Sequence, residues 1–228
     1  MLYSEQAARD NIRNRQGKRV FYLGPGDQLT SSARDFLQRQ RVEILPAKEA
    51  KKERWALLSG GFAEEKPEDM THLNGDFLVP KTHPRIVFRG RMDSFQAELI
   101  LCSLNCPAQR EKLEEILAFS HSLLGCEVLE KPVEQKTLCG MTEEQIRSVS
   151  HFPQKTYGIA HFMPGPEDGM EIAWLNRARC AAREAELACV AAFRDRDGRI
   201  TRPDLLKALN RMSSMLYILM IERKAGKL

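Results

Sequence analysis

Trp174-Leu-Asn-Arg-Ala-Arg-Cys-Ala-Ala-Arg-Glu-Ala-Glu-Leu187 lies within a longer stretch, Gly169 to Phe193, in which apolar residues recur at three- and four-residue spacing. That period marks an α-helix with one buried face. The same spacing runs through roughly Phe88 to Asn105, Ala108 to Leu124, Thr142 to Ser150 and Arg202 to Arg223, so the chain from Pro84 onward predicts an antiparallel helical bundle. Punctuation between the segments agrees. Pro107 closes one helix and opens the next, because a proline lacks the backbone N–H that only a first turn can spare. Thr142-Glu143-Glu144-Gln145 has the form of a capping box, with Thr142 as cap and Gln145 three positions on. Asp195-Arg196-Asp197-Gly198 reads as a turn, and Thr201-Arg202-Pro203-Asp204 restarts a helix with an acid near its positive end.

Upstream the texture changes. Val20-Phe21-Tyr22-Leu23 is strand-like and Gly24-Pro25-Gly26-Asp27 is turn chemistry. Thr30 or Ser31 can cap a helix through Gln40, followed by a short strand from Arg41 to Leu45. Breakers at Ser59-Gly60-Gly61 and Glu64-Glu65-Lys66-Pro67 put a boundary near residue 65. The expected fold is mainly α, a helical bundle over 66–228 with a small α/β extension over 1–65.

Composition narrows the function. With 228 residues and 43% hydrophobic content the chain can bury a real core. A formal charge of +4, from 35 basic against 31 acidic residues, is interspersed and too small to indicate nucleic acid. No apolar run approaches the roughly 18 residues of a membrane span. The six cysteines, Cys102, Cys106, Cys126, Cys139, Cys180 and Cys189, form no CxxC pair, and the chain opens on polar residues rather than a signal peptide, so the expectation is a reduced, cytoplasmic, soluble protein.

Four constellations carry chemistry. Arg179, Arg183 and Glu186 share one helical stripe. A double-arginine stripe suits a polyanion, since guanidinium groups bind phosphate oxygens in bidentate fashion and keep their charge; a solvated face with an Arg/Glu pair has the same spacing. Asp93 lies among Met92, Phe95 and Leu99, where a buried carboxylate requires a cation such as Arg179, unless it caps the helix or faces water. Lys66, Thr71, Lys81 and the backbone around Gly75 can form a phosphate cradle at a helix entry, although no P-loop sequence is present. His72 and His83 lie in the same stretch without a carboxylate or thiol at ligand spacing, which favours structural or exposed histidines over a metal site. Asn210, Arg211 and Ser214 interrupt an otherwise apolar helix, and Asn210 can hydrogen-bond either a nucleotide or a neighbouring helix. A di-iron bundle is disfavoured because no Glu-x-x-His pair occurs.

The chain resembles the PduO-type family of ATP:corrinoid adenosyltransferases, in its ethanolamine-utilisation branch. The resemblance covers almost the whole chain. It is carried by Leu29-Thr30 with Ala33-Arg34 and Leu37, by Lys66-Pro67 with Met70-Thr71-His72-Leu73, by His83-Pro84-Arg85 with Arg89 to Ser94, and by Arg202-Pro203-Asp204 with Leu209-Asn210-Arg211 and Ser213-Ser214.

The resemblance implies a five-helix bundle assembled as a homo-oligomer, a trimer in the wider family, with ATP between subunits and cobalamin as the second substrate, Mg²⁺ assisting. It matches Arg179, Arg183 and Glu186 to the family's arginine and glutamate helix, Lys81 and Asn210 to its nucleotide-binding lysine and asparagine, and Asp93 to the aspartate paired with Arg179's counterpart beside the corrin. Three departures are visible. Lys66 to Thr71, with His72 following, replaces the glycine-rich ATP loop. Glu184 stands where the family has a second arginine. The His and clustered-Cys motif of some branch members is absent, so no structural iron or zinc site is expected. The family's phenylalanine beneath the corrin, three residues before a proline, falls here on His161, with Phe162 one place on. The branch implies docking to ethanolamine ammonia-lyase or the ethanolamine-utilisation microcompartment. Two rival functions stand beside the enzyme: a non-catalytic corrinoid or nucleotide carrier, and a helical interaction module in which residues 1–63 dock a partner.

Overall fold

Thr30 shows how the first element boundaries arise. Its hydroxyl accepts the Ala33 backbone N–H at 3.2 Å, satisfying one of the donors that a helix start leaves orphaned. The computed structural model describes residues 1–15, 18–46, 55–63, 65–74, 77–134 and 137–226. The chain divides into two compact units, Met1–Pro67 and Glu68–Leu228.

The first unit contains β1 (Leu2–Tyr3), α1 (Glu5–Asp10), β2 (Arg13–Arg15), β3 (Lys18–Leu23), β4 (Gln28–Leu29), α2 (Ser31–Arg39), β5 (Glu43–Pro46), β6 (Trp55–Leu57) and β7 (Phe62–Ala63). Strand β3 pairs antiparallel with β2 and parallel with β5, so α2 serves as the crossover of a small βαβ unit. Phe21, Ala33, Phe36, Leu37 and Val42 bury themselves with Ala8 of α1. The helix α1 and the strands β1, β2 and β4 were not legible in the sequence. They are short, and propensity over two to six residues says little. Gly60 and Gly61, both at positive φ, turn β6 into β7.

The second unit begins with the hairpin β8 (Met70–His72) and β9 (Phe77–Pro80). It continues through α3 (Pro84–Asn105), α4 (Arg110–Val128), β10 (Thr137–Leu138), β11 (Met141–Thr142), α5 (Glu143–His151), α6 (Pro153–Tyr157), α7 (Gly169–Phe193) and α8 (Pro203–Lys224). The five expected helices are present, and the protein is mainly α as its periodicity implies. The short α6 was not expected. The Thr142 capping box forms as read, with Thr142 Oγ1 accepting Gln145 N–H at 3.3 Å and Thr142 N–H donating to Gln145 Oε1 at 2.8 Å.

Side-chain ties give the helix directions. Arg91 pairs with Glu184, and Glu98 with Arg177, so α3 and α7 run antiparallel. Arg85 reaches Glu127 near the far end of α4, so α3 and α4 are antiparallel too. Helix α7 packs against both α3 and α8, and the middle of its buried side is made of small residues, Ala178, Ala182, Ala185 and Cys189, between Ile172 and Leu175 at one end and Phe193 at the other. Small side chains let ridges of neighbouring helices approach closely. Phe88, Met92, Phe95 and Leu99 of α3 and Leu205, Leu209, Met212 and Leu216 of α8 fill the core on either side.

Candidate functional site

Helices α7 and α8 present one cleft of two lobes. One lobe, of about 260 Å³, is lined by Arg179 and Arg183 from α7, by Ser213, Ser214 and Tyr217 from α8, and by Ser150, His151 and His161 beyond them. A second lobe of about 390 Å³ shares His161, Arg179 and Tyr217 and adds Phe162, Met163 and Pro164. Among the described residues neither Arg179 nor Arg183 has a carboxylate partner. The Arg179 guanidinium is oriented by the neutral Asn176 side chain, whose Oδ1 accepts from Nε at 3.1 Å and from a terminal nitrogen at 3.0 Å. Its Cζ lies 6.0 Å from the centroid of the Tyr217 ring. Two uncompensated guanidinium groups one turn apart make the cleft a site for a polyanion.

Part of the lining is aromatic. His161 stacks on Tyr217 with centroids 5.6 Å apart and an interplanar angle of 10°, and Phe162 stacks at 6.1 Å and 28°. The Lys224 ammonium lies 4.2 Å over the Phe162 ring. His161 bonds through both nitrogens, Nδ1 to Tyr217 Oη at 3.0 Å and Nε2 to the His151 carbonyl at 3.0 Å. An aromatic surface beside two cations suits a planar ligand carrying or accompanied by phosphate.

The other expected residues divide. Glu186 and Asn210 come together, Asn210 Nδ2 donating to Glu186 Oε1 at 3.0 Å while Asn210 Oδ1 accepts from Arg211 at 2.8 Å. The interhelical reading of Asn210 is the one the chain displays. Asp93 is exposed on α3. Of the alternatives left open for Asp93 the chain displays the one facing water, since Met92, Phe95 and Leu99 are buried on a neighbouring face of the helix and adjacent positions do not face the same way. Thr71 and His72 are half-buried in β8, and Lys81 is exposed where its backbone N–H closes the hairpin on Asp69 O at 2.8 Å. None of these lines the cleft. Lys66 is exposed in the first unit, and the expected backbone cradle at Gly75 lies outside the described residues. Glu184 ion-pairs with Arg91 at 3.0 Å on the surface.

His83 is structural. Its Nδ1 accepts the Arg85 backbone N–H at 3.2 Å as the cap of α3, and burial together with the Arg85 and Arg89 guanidinium groups holds its imidazole below the usual histidine range. Tyr217, Ser150 and His151 were not identified from the sequence. A signal existed for Tyr217, which follows Asn210 and Ser214 at i+7 and i+3 on one helical face.

The profile of the cobalamin adenosyltransferase family matches residues 62–223. The corrinoid adenosyltransferase EutT of Salmonella typhimurium strain LT2 is 28% identical over 216 residues, which cover 94% of this chain and 80% of that protein. The corrinoid adenosyltransferase EutT of Escherichia coli K12 is 30% identical over 158 residues, covering 69% of this chain and 59% of the relative. No solved structure matches the chain. The match takes in the whole helical bundle together with the arginine-lined cleft, and the chain belongs to the cobalamin adenosyltransferase family.

Proposed function

We propose that this chain is an ATP:corrinoid adenosyltransferase of ethanolamine utilisation, moving the 5′-deoxyadenosyl group of ATP onto the cobalt of cobalamin. The observation that carries the reading is one cleft in which unpaired Arg179 and Arg183 stand beside the His161, Phe162 and Tyr217 wall. In the reaction the Co(I) electron pair forms the cobalt–carbon bond at C5′, the C5′–O bond breaks, and the triphosphate leaves with that bond's electrons. No side chain acts as nucleophile. The protein's contribution is positioning and charge stabilisation.

Arg183, exposed at the mouth of the cleft, is assigned to the departing triphosphate with Mg²⁺. Arg179, held by Asn176, is assigned to the boundary between nucleotide and corrin. His161 and Phe162 form the lower corrin wall. Glu186 and Asn210 fix α7 against α8 beside the nucleotide, while Thr71, His72 and Lys81, which do not line the cleft, are assigned to the phosphate side of an ATP site shared between subunits.

A homo-oligomer, read as a trimer, completes this site. Val87, Ile100, Leu101 and Leu104 of α3 and Met170 and Leu187 of α7 are exposed apolar residues, and exposed apolar surface of this kind suits association. Exposed Asp93 on α3 is then available to a neighbouring subunit. The unit Met1–Pro67, with exposed Leu2, Ile44 and Phe62, is assigned to docking on ethanolamine ammonia-lyase or the microcompartment within the cytoplasm.

Anaerobic turnover of cob(I)alamin with ATP and Mg²⁺ tests the activity, read as loss of the Co(I) absorbance and appearance of adenosylcobalamin. Bound cobalamin and ATP without product would instead make the chain a carrier.

A further inference from the structure

His161 carries the hydrogen-bond pattern of a histidine prepared to bind a metal, with the metal's position taken by a hydroxyl. The His151 carbonyl can only accept, so His161 Nε2 is the protonated nitrogen in that 3.0 Å bond. That carbonyl belongs to the last residue of α5, one of the groups a helix end leaves unpaired. The Phe162 backbone N–H can only donate, and it donates to Tyr217 Oη at 3.2 Å. One arrangement satisfies every group: Tyr217 accepts from Phe162 and gives its own proton to His161 Nδ1 at 3.0 Å. A protonated Nδ1 would leave the tyrosine proton without this acceptor.

An imidazole whose Nε2–H is held by a backbone carbonyl has its ring and tautomer fixed, the arrangement usual for a metal-ligating histidine. Here the other nitrogen faces Tyr217 Oη in a cleft lobe shared by both residues. A phenylalanine in the wall would have no lone pair to control. A histidine does, and axial nitrogen donors tune a metal's reduction potential.

We propose that the Tyr217 hydroxyl caps the Nδ1 lone pair of His161 and thereby prevents this histidine from becoming an axial ligand to the cobalt of a bound corrinoid. Tyr217 is a positioning residue in this scheme, acting through His161. The inference rests on the corrin-binding reading of the cleft.

The test uses cob(II)inamide, which lacks the nucleotide base of cobalamin, so a nitrogen on its cobalt must come from the protein. Electron paramagnetic resonance of the full chain with cob(II)inamide, ATP and Mg²⁺ is expected to show a perturbed cobalt signal without nitrogen superhyperfine splitting. Tyr217→Phe is expected to split each cobalt line into a triplet, and Tyr217→Phe combined with His161→Phe to abolish the splitting. A perturbed signal in every protein with no triplet in Tyr217→Phe overturns the cap and leaves the corrin-binding reading standing. A triplet in the unaltered protein also overturns the cap. A cobalt signal that the unaltered protein does not perturb overturns both. Should Tyr217→Phe fail to fold, nitrogen-15 chemical shifts of histidine-labelled unaltered protein decide: Nε2 protonated and Nδ1 bare is expected, and a protonated Nδ1 refutes the proposal.

Discussion

Asn210 Nδ2 donates to Glu186 Oε1 at 3.0 Å, joining α8 to α7 one turn beyond Arg183. The asparagine also accepts from Arg211, so its amide is engaged on both sides. Asn210→Ala is expected to lower stability by about 1–3 kcal/mol, the cost of leaving part-buried polar groups without partners. Urea denaturation without nucleotide measures this directly. An unchanged midpoint in the absence of ATP would make Asn210 a nucleotide ligand alone.

Glu127 is the second tie. Its fully buried carboxylate accepts Arg85 Nε at 2.5 Å and Arg89 Nε at 2.6 Å, bracing the start of α3 against the end of α4. Removing one partner of a buried ionic group costs about 3–5 kcal/mol because the remaining charges lose their compensation. Glu127→Ala is expected to fall in that range, with the urea midpoint lowered and the slope of the transition retained.

Asp204 predicts the acid limb of stability. The Arg202 guanidinium beside it, aided by the Val133 backbone N–H, holds its carboxyl below the ordinary 3.8. A carboxylate with a depressed folded-state value contributes stability that is present above the unfolded value and is lost as pH falls through the folded one. Stability should therefore decline as pH falls below about 4, and Asp204→Asn should flatten that decline. Urea midpoints across an acid pH series provide the check.

Arg183→Ala should reduce kcat for adenosyl transfer by about a hundredfold, the scale of losing one charge-stabilising donor, while leaving the thermal midpoint close to that of the unaltered protein because the side chain is exposed. Arg183→Lys should recover part of the rate, since a lysine keeps the charge without the bidentate fork. Full turnover by Arg183→Ala at saturating ATP would remove the leaving-group role.

Local chemistry made much of the bundle legible. Helix α7 was read to its ends because Gly169 and Phe193 bound an uninterrupted 3.6-residue period, and α5 because Thr142 and Gln145 cap it within one turn. The pairing of Arg179 with Arg183 in one cleft followed from spacing alone, since residues four apart share a helical face. Asp93 could not be placed in the same way: its apolar neighbours in sequence suggest burial, whereas the helix turns about 100° per residue and carries this position into solvent.

The sequence by itself determined the five expected helices of the bundle, the Thr30 and Thr142 caps, the arginine stripe and the family, because each is written in residues close together along the chain or in ordered motifs. Only the tertiary structure decided which partner each polar group meets. His161 and Tyr217 are 56 positions apart, and Arg85 and Glu127 are 42 apart. Periodicity says that a face is buried, but the group opposite it depends on how helices pack across the core. The capped histidine and the buried glutamate therefore became visible only in the folded chain.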